Sequence, residues 1–161
     1  MSTKLKKQLS GVAGEYYVAA EFTRNGLLAA ITLRNSNGVD ILVTDENGQH
    51  QLAIQVKTTQ GKKKWLLTAK IEHEINSAES KYFVFVSLPM DRSKAPEYSI
   101  IKAIDLGAFI KTSHQNWLSN PEKNRKDIGV RQYEEKYALE AGYKTFNEFT
   151  SFVEFIREKI M

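Results

Sequence analysis

Residues 38–57 read GVDILVTDENGQHQLAIQVK, two apolar runs on either side of an Asn-Gly pair. Asn-Gly between alternating apolar residues is the strongest short-range signal for a β-hairpin, because both residues accept the left-handed backbone of a tight turn. If Asn47-Gly48 forms a two-residue loop, counting back along both strands places Asp40 directly opposite Gln55. The sequence therefore predicts an antiparallel strand pair in that register.

The two faces of this hairpin differ in character. One face is apolar and ready to be buried; it carries Ile41, Val43, Leu52, Ile54 and Val56. The other presents the carboxylate of Asp40, the amide of Gln55 and the ammonium of Lys57. Lys57 lies two residues beyond Gln55 and therefore on the same face, and it is the diagonal neighbour of Asp40, roughly 7–8 Å away. These residue types are also ordinary on a solvated strand, and a register shift of one residue would separate them. Both interpretations stay open at this point.

A helix is predicted ahead of the hairpin, over residues 3–25. Its apolar stripe at helical spacing consists of Leu5, Leu9, Val12, Tyr16, Ala19 and Thr23. Glu15 lies at the edge of this stripe, about 60° from Val12 at 100° per residue, and is expected to look toward the rim of the sheet. Gly11 and Gly14 leave bare backbone beside it, which suits either the approach of a large ligand or close packing of the helix on the sheet.

The remainder of the chain alternates strand-like and helical patterns. Strands are predicted over residues 28–33, 39–44, 52–58, 65–69, 82–88 and 98–104. Helices are predicted over 105–118, with Asp105 as the cap, over 130–141, and from a capping box at 145–148 onward. This order indicates an α/β fold with a mixed β-sheet flanked by helices. We expect a core over residues 1–118 and a C-terminal helical extension over 119–161, packed on the same domain.

Composition restricts the classes of function. The chain has 161 residues, no cysteine, and a net charge of +4 from 23 basic and 19 acidic side chains. The lack of cysteine excludes a disulfide framework, a cysteine–zinc site and a catalytic thiol. The longest apolar run, over residues 82–86, is far shorter than the ~20 residues of a membrane span. We expect a soluble, cytoplasmic protein without a membrane partner, and its mildly basic charge is compatible with a polyanionic one.

Three consecutive lysines, Lys62, Lys63 and Lys64, follow the strand that carries Lys57. Lysines supply the phosphate contacts that give most of the sequence-independent affinity for nucleic acid. This turn is therefore the predicted nucleic-acid-binding element. A solvated hairpin tip is the alternative explanation for each lysine taken alone.

The residues from 11 to 59 match a known pattern. It consists of Gly11-x-x-Gly14-Glu15-x-x-Val18-Ala19 on a helix, Asn37-Gly38-Val39-Asp40-Ile41-Leu42-Val43 on a strand and Ile54-Gln55-Val56-Lys57-Thr58-Thr59 on the next. The chain resembles the PD-(D/E)XK nuclease superfamily, with the restriction-endonuclease-like fold. Holliday-junction resolvases and homing endonucleases with a QxK motif are among its members. The resemblance rests on the joint order of these short motifs and on their secondary structure.

The resemblance implies a role for each motif residue. Asp40 would bind the metal and Gln55 would complete the site, while Glu15 would assist the metal. Lys57 would position or activate the attacking water. The oxygen atoms of these side chains and of the Val56 backbone carbonyl suit Mg²⁺, with Mn²⁺ as a substitute. The implied function is a metal-dependent endonuclease that hydrolyses DNA phosphodiester bonds, with duplex or branched DNA as the partner and homodimer formation left open.

One residue departs from the commonest form of the pattern, because Gln55 stands where an acid is usual. A neutral amide removes one negative charge, so affinity for a divalent cation should fall unless Glu15 compensates. The alternative function is therefore a catalytically inactive nucleic-acid-binding or protein-interaction module on the same fold.

Overall fold

The computed structural model describes residues 3–33 and 37–159, which form eight strands and four α-helices. The strands are β1 (Leu28–Ile31), β2 (Ile41–Thr44), β3 (Gln51–Gln60), β4 (Trp65–Thr68), β5 (Lys81–Leu88), β6 (Glu97–Lys102), β7 (Val130–Tyr133) and β8 (Thr145–Phe146). The helices are α1 (Lys7–Arg24), α2 (Ala103–Leu118), α3 (Glu135–Glu140) and α4 (Phe149–Lys159), with a 3₁₀-helix over Ala69–Asn76. None of these described helices has both the length and the apolar character needed to cross a membrane.

Six strands build one mixed sheet in the order β1-β2-β3-β5-β6-β8, and β4 and β7 pair separately. β1, β2 and β3 form an antiparallel meander, β3 and β5 run parallel, and β6 and β8 add antiparallel strands. The connection from β3 to β5 passes through β4 and the 3₁₀-helix, which gives the long crossover that a parallel pair needs. This sheet, flanked by helices and followed by a C-terminal helix, confirms the α/β fold class with a mixed sheet that the sequence predicts.

Helices cover both faces of the sheet. On one face, Val18 and Phe22 of α1 pack with α4 against the apolar side of the β2–β3 hairpin. All five residues predicted for that side are buried: Ile41, Val43, Leu52, Ile54 and Val56. On the other face, α2, the 3₁₀-helix and the β4–β7 pair enclose a second cluster, in which Phe85 and Tyr133 stack with ring centroids 4.1 Å apart. The polar side of the hairpin belongs to this second face.

The β2–β3 hairpin has the predicted register. Ile41 pairs with Ile54, as that register requires, but one residue earlier the N–H of Asp40 donates to the carbonyl oxygen of Ile54 rather than to that of Gln55, so the regular pairing ends at Ile41. A slip of one residue would have exchanged the buried and exposed faces. The burial of the apolar side therefore fixes the register independently of the loop.

The hairpin loop is longer than predicted. The last bond between the strands runs from the N–H of Asp45 to the carbonyl oxygen of His50 at 3.4 Å, which leaves residues 46–49 as the loop. A two-residue type I′ turn requires positive φ at Asn47, and no residue other than glycine has positive φ in the described chain. The Asp45 carboxylate instead accepts the N–H of Gln49 at 2.8 Å. The register is unchanged because the two additional loop residues come one from each strand.

α1 begins later than predicted and packs on the sheet through a different face. Its buried residues are Ser10, Gly14, Val18 and Phe22. Leu9 and Tyr16, predicted for the core, are 58% and 64% exposed. The predicted stripe is wrong because small residues occupy the turns where the helix contacts the sheet. Glu15 still lies at the border of the buried stripe, about 60° from Val18.

The two glycines of α1 have different surroundings. A Cβ built on Gly14 would lie 2.0 Å from Oγ1 of Thr58 on β3, so the close approach of helix and strand requires glycine there. Around Gly11, no atom of the described chain lies within 4 Å of the corresponding point. Close helix–sheet packing therefore explains Gly14, whereas Gly11 leaves open space beside the helix.

The chain after α2 differs most from the prediction. The helix predicted over 130–141 is wrong in its first part, because Val130–Tyr133 is β7, and every second residue of it is buried as in a strand. The predicted capping box is also wrong, since Thr145–Phe146 forms β8 beside β6. Asp105 lies within the first turn of α2 and is not its cap. β8 joins the main sheet and α4 joins its core, and a boundary after residue 118 stays a prediction.

We expect Gly14→Ala to destabilise the protein. The added methyl group would overlap Thr58, so α1 must shift away from β3, and overpacking of this kind costs about 1–3 kcal/mol. Gly11→Ala is the matched control in the same helix, because its methyl group has room and alanine raises helix propensity by up to about 1 kcal/mol. Urea unfolding of both variants measures the difference. Equal stability of the two would contradict the close contact.

Candidate functional site

Asp40 lies at the point where β2 and β3 part. β2 begins one residue later, whereas β3 continues to Gln60 with β5 as its strand neighbour. The backbone N–H of Asp40 donates to the carbonyl oxygen of Ile54 at 2.8 Å, and its Oδ2 accepts the N–H of Val56 at 2.7 Å. The carboxylate thus substitutes for the next hydrogen bond of the ladder, which holds it against β3.

Gln55 and Lys57 extend from the same face of β3, as predicted. Their register partners on β5 are Phe83 and Phe85, and both polar side chains are half-buried. Both line an open cavity of about 580 Å³ whose other walls are β4 and the 3₁₀-helix. We call this cavity the basic cleft, for the lysines described below.

Glu15 reaches the same edge of the sheet from α1. It lines a second cavity, of about 540 Å³, together with Asp40 and Thr32. Lys7 and Gly11 line both this cavity and the basic cleft, so the two are neighbours. The structure therefore brings the two carboxylates, the amide and the ammonium of the motif to one edge of the sheet, around two adjoining cavities.

The donor set at this edge fits a hard divalent cation. Asp40 and Glu15 supply carboxylates, and the Gln55 side chain and the Val56 carbonyl are neutral oxygen donors. Mg²⁺ prefers such oxygen ligands and usually keeps several waters. No group of three or more His, Cys, Asp or Glu side chains that could hold a metal occurs within residues 3–33 and 37–159. A cation here would therefore depend on two carboxylates, neutral oxygens and water.

Sequence reasoning missed an ion pair beside the site. Lys81 Nζ lies 2.8 and 3.0 Å from the two carboxylate oxygens of Glu74, and Glu74 lines the basic cleft. Lys81 Nζ also lies 3.3 Å from the point where a Cβ of Gly38 would stand, and Gln55 Oε1 lies 3.7 Å from that point. Gly38 has a φ of +73°, the left-handed conformation that glycine favours. The pair therefore packs against the turn that leads to Asp40.

The three predicted DNA-binding lysines divide between two surfaces. Lys62 and Lys64 line the basic cleft together with Lys57. Lys63 extends away from it, forms an ion pair with Glu97 and lines a separate cavity. The chain bends at residues 61–63, where Gly61 has a φ of +67°, so the three lysine side chains do not share one direction. Lys7 of α1 and Lys70 of the 3₁₀-helix, which lie outside the predicted lysine turn, also line the cleft.

No protein-family model matches the chain, and no curated protein matches its sequence. Among solved structures, the chain is similar to Hjc, a Holliday junction resolvase from the archaeal hyperthermophile Archaeoglobus fulgidus. The match has a TM-score of 0.47 and 16% sequence identity, and it covers 80% of this chain and 87% of the resolvase chain.

We expect Asp40→Ala to lower the free energy of unfolding by about 1–3 kcal/mol, because it leaves the part-buried N–H of Val56 without its acceptor. Asp40→Asn keeps an oxygen acceptor at the same position and should lose less. Urea unfolding of the two variants separates the two contributions, because Asp40→Ala removes both the hydrogen-bond acceptor and the charge, whereas Asp40→Asn removes only the charge. If both variants lose the same stability, the hydrogen bond to Val56 is not what holds the carboxylate in place.

Proposed function

We propose that this chain is a divalent-metal-dependent endonuclease that acts on DNA. The observation that supports this most directly is that the carboxylate of Asp40 binds the N–H of Val56, the residue between Gln55 and Lys57, which share one face of β3. Glu15 adds a second carboxylate from α1 in the adjoining cavity. Hydrolysis of a phosphodiester needs oxygen ligands for a cation, a polar group near the attacking water and cations for the nucleic-acid backbone. This edge of the sheet carries all three.

The chemistry follows from charge. A phosphodiester is anionic, so attack by water or hydroxide is repelled unless its charge is neutralised. Asp40 and Glu15 would hold Mg²⁺ with the neutral oxygens of Gln55 and Val56, and the bound ion supplies that neutralisation. The Lys57 ammonium lies on the same face as Gln55, where it can orient a water or stabilise the negative charge that develops during attack.

The basic cleft supports a nucleic-acid substrate. Lys7, Lys57, Lys62, Lys64 and Lys70 line it. Glu74 also lines it, but its charge is met by Lys81. A groove with excess positive charge attracts the phosphate backbone and releases counterions on binding. Cutting both strands of a duplex with one site per chain requires two copies or two encounters, so homodimer formation belongs to this proposal as well.

We expect the wild-type chain to cleave supercoiled plasmid or branched synthetic DNA in the presence of Mg²⁺ or Mn²⁺, and to lose this activity in EDTA. Asp40→Asn and Lys57→Met should each lower the cleavage rate by about 100-fold or more, because each removes a charge that acts on the reacting phosphate. Gel electrophoresis of the products over time measures the rate.

Matched controls test whether the loss is local. Asp91→Asn and Lys111→Met make the same chemical changes at exposed positions that line neither of the two cavities, and they should cleave at the wild-type rate. Cleavage that survives both Asp40→Asn and Lys57→Met would rule out this site as its source. Loss of cleavage in the controls would point to a general effect of charge.

A second candidate is a catalytically inactive DNA-binding module on the same fold. The neutral Gln55 favours it, together with the lack of a three-member His, Cys, Asp or Glu group in the described ranges. This candidate expects salt-sensitive DNA binding without cleavage, and no heat of Mg²⁺ binding in calorimetry at millimolar concentrations. Cleavage that depends on Asp40 excludes it.

The lysines provide a separate prediction about binding. Lys62→Ala and Lys64→Ala should each weaken DNA binding and reduce the slope of log affinity against log salt by about 1, because each removes one phosphate contact. Lys63→Ala is the matched control, since its ammonium pairs with Glu97 outside the basic cleft. Fluorescence anisotropy over a salt series measures the slopes. Equal losses in all three variants would contradict a binding surface confined to the cleft.

A further inference from the structure

β4 and β7 form a two-stranded antiparallel ribbon apart from the main sheet. Its inward side chains are buried, and its outward side chains are Leu66 and Thr68 on β4 and Val130 and Gln132 on β7. We call these four residues the ribbon face. Leu66 is 63% exposed and Val130 is 44% exposed. The outward residues of a half-buried antiparallel pair are normally polar, so two large apolar side chains here require an explanation.

The β4 side of the ribbon face borders the basic cleft, whereas Val130 and Gln132 line a separate cavity beside α2. Leu66 and Thr68 line the cleft together with Lys64 and Lys70, which stand just before and shortly after β4. The same cleft extends to Lys57 at the candidate site. A polyanion that lies along the cleft would therefore meet a lysine near each end of β4, with Leu66 and Thr68 of the ribbon face between them.

The ribbon is anchored from behind. The indole N–H of Trp65 donates to a backbone carbonyl of β5 at 3.2 Å, and the Tyr133 hydroxyl lies 2.7 Å from Oγ of Ser99. The guanidinium of Arg131 donates to both carboxylate oxygens of Asp127 at 2.9 and 3.0 Å. A surface fixed in this way loses little conformational freedom when it binds a partner.

An acidic residue, Glu134, lies beside the ribbon face. Glu134 follows β7 and accepts a hydrogen bond from the Gln132 amide at 2.5 Å. Lys136 lies 3.4 Å from the same carboxylate. The charge of Glu134 is thus met within the protein, and the lysines of the cleft set the sign of the charge beside the ribbon.

We propose that the ribbon face enters the major groove of duplex DNA and contacts base edges next to the phosphates held by the basic cleft. The major groove is about 12 Å wide and admits a two-stranded β-ribbon, whereas the minor groove is about 6 Å wide. The Gln132 amide is the group that pairs with adenine, and Leu66 and Val130 offer apolar contact to the methyl group of thymine. The inference rests on DNA as the substrate of the proposed nuclease and adds the element that selects the sequence.

The test is a selection from duplexes that are randomised at the centre, bound by the full chain in EDTA so that no cleavage occurs. We expect the wild-type protein to enrich particular bases. Leu66→Ala and Gln132→Ala should relax that preference at defined base pairs and bind the enriched duplex about fivefold or more weakly, the loss that follows from removing one base contact. Leu139→Ala and Gln115→Ala are matched controls at exposed positions on α3 and α2, and should keep the wild-type preference and affinity.

Each other outcome is decisive. The proposal is overturned if the wild-type protein binds duplexes without base preference, if both ribbon variants keep the wild-type preference, or if they weaken all duplexes equally. It is also overturned if they change only self-association in sedimentation, which would identify a protein contact instead. If base preference depends on the ribbon residues but the protein does not cleave DNA with Mg²⁺ or Mn²⁺, the proposed nuclease function is wrong and the ribbon inference holds. If the protein cleaves DNA but the ribbon variants keep the wild-type base preference, the nuclease function holds and the ribbon inference is wrong.

Discussion

The hydrogen bond from the N–H of Val56 to the carboxylate of Asp40 is the interaction on which the candidate site depends. β3 continues beyond the point where its pairing with β2 ends, which leaves this edge of β3 without a strand partner. The N–H of Val56 on that edge therefore needs another acceptor. Asp40 supplies that acceptor and therefore cannot turn away from β3. The same side chain completes the hydrogen bonding of this edge of β3 and places a negative charge beside Gln55 and Lys57. The hydrogen bond and the proposed metal site thus both depend on the carboxylate of Asp40.

Local periodicity predicted the parts of the site that lie on the hairpin. Side chains alternate between the two faces of a strand with a period of two. A loop of two residues and a loop of four residues therefore place the same side chains on the same face, and the error in loop length left the register of β2 and β3 unchanged. Periodicity failed on α1, where Gly14 and Ser10 lie against the sheet and larger apolar residues do not. A pattern based on hydrophobicity cannot recognise a contact face built from small residues. Glu15 was placed correctly because it borders the buried stripe in either case.

The parts that could not be predicted depend on contacts between distant segments. β7 was mistaken for a helix because its four residues gain a strand partner only when they meet β4, far earlier in the chain. The contribution of Lys70 to the cleft and the pairing of Glu74 with Lys81 depend on the course of the 3₁₀-helix, and no local motif marks them. The separation of Lys63 from its two lysine neighbours likewise depends on the bend at residues 61–63 and on the ion pair with the distant Glu97.

The neutral amide at position 55 has a physical consequence for the whole edge. A carboxylate there would be the chain neighbour of Val56, whose N–H binds the Asp40 carboxylate, and like charges at such short range repel each other. Lys81 could not offset such a charge, because both oxygens of Glu74 already bind its ammonium. With Gln55, the carboxylate of Asp40 has no second carboxylate beside it on β3 when no cation is bound. The same amide also provides one charged ligand fewer when a cation binds. Any metal chemistry at this site must rely correspondingly more on Asp40 and Glu15, which is why the charge of Asp40 separates the two candidate functions.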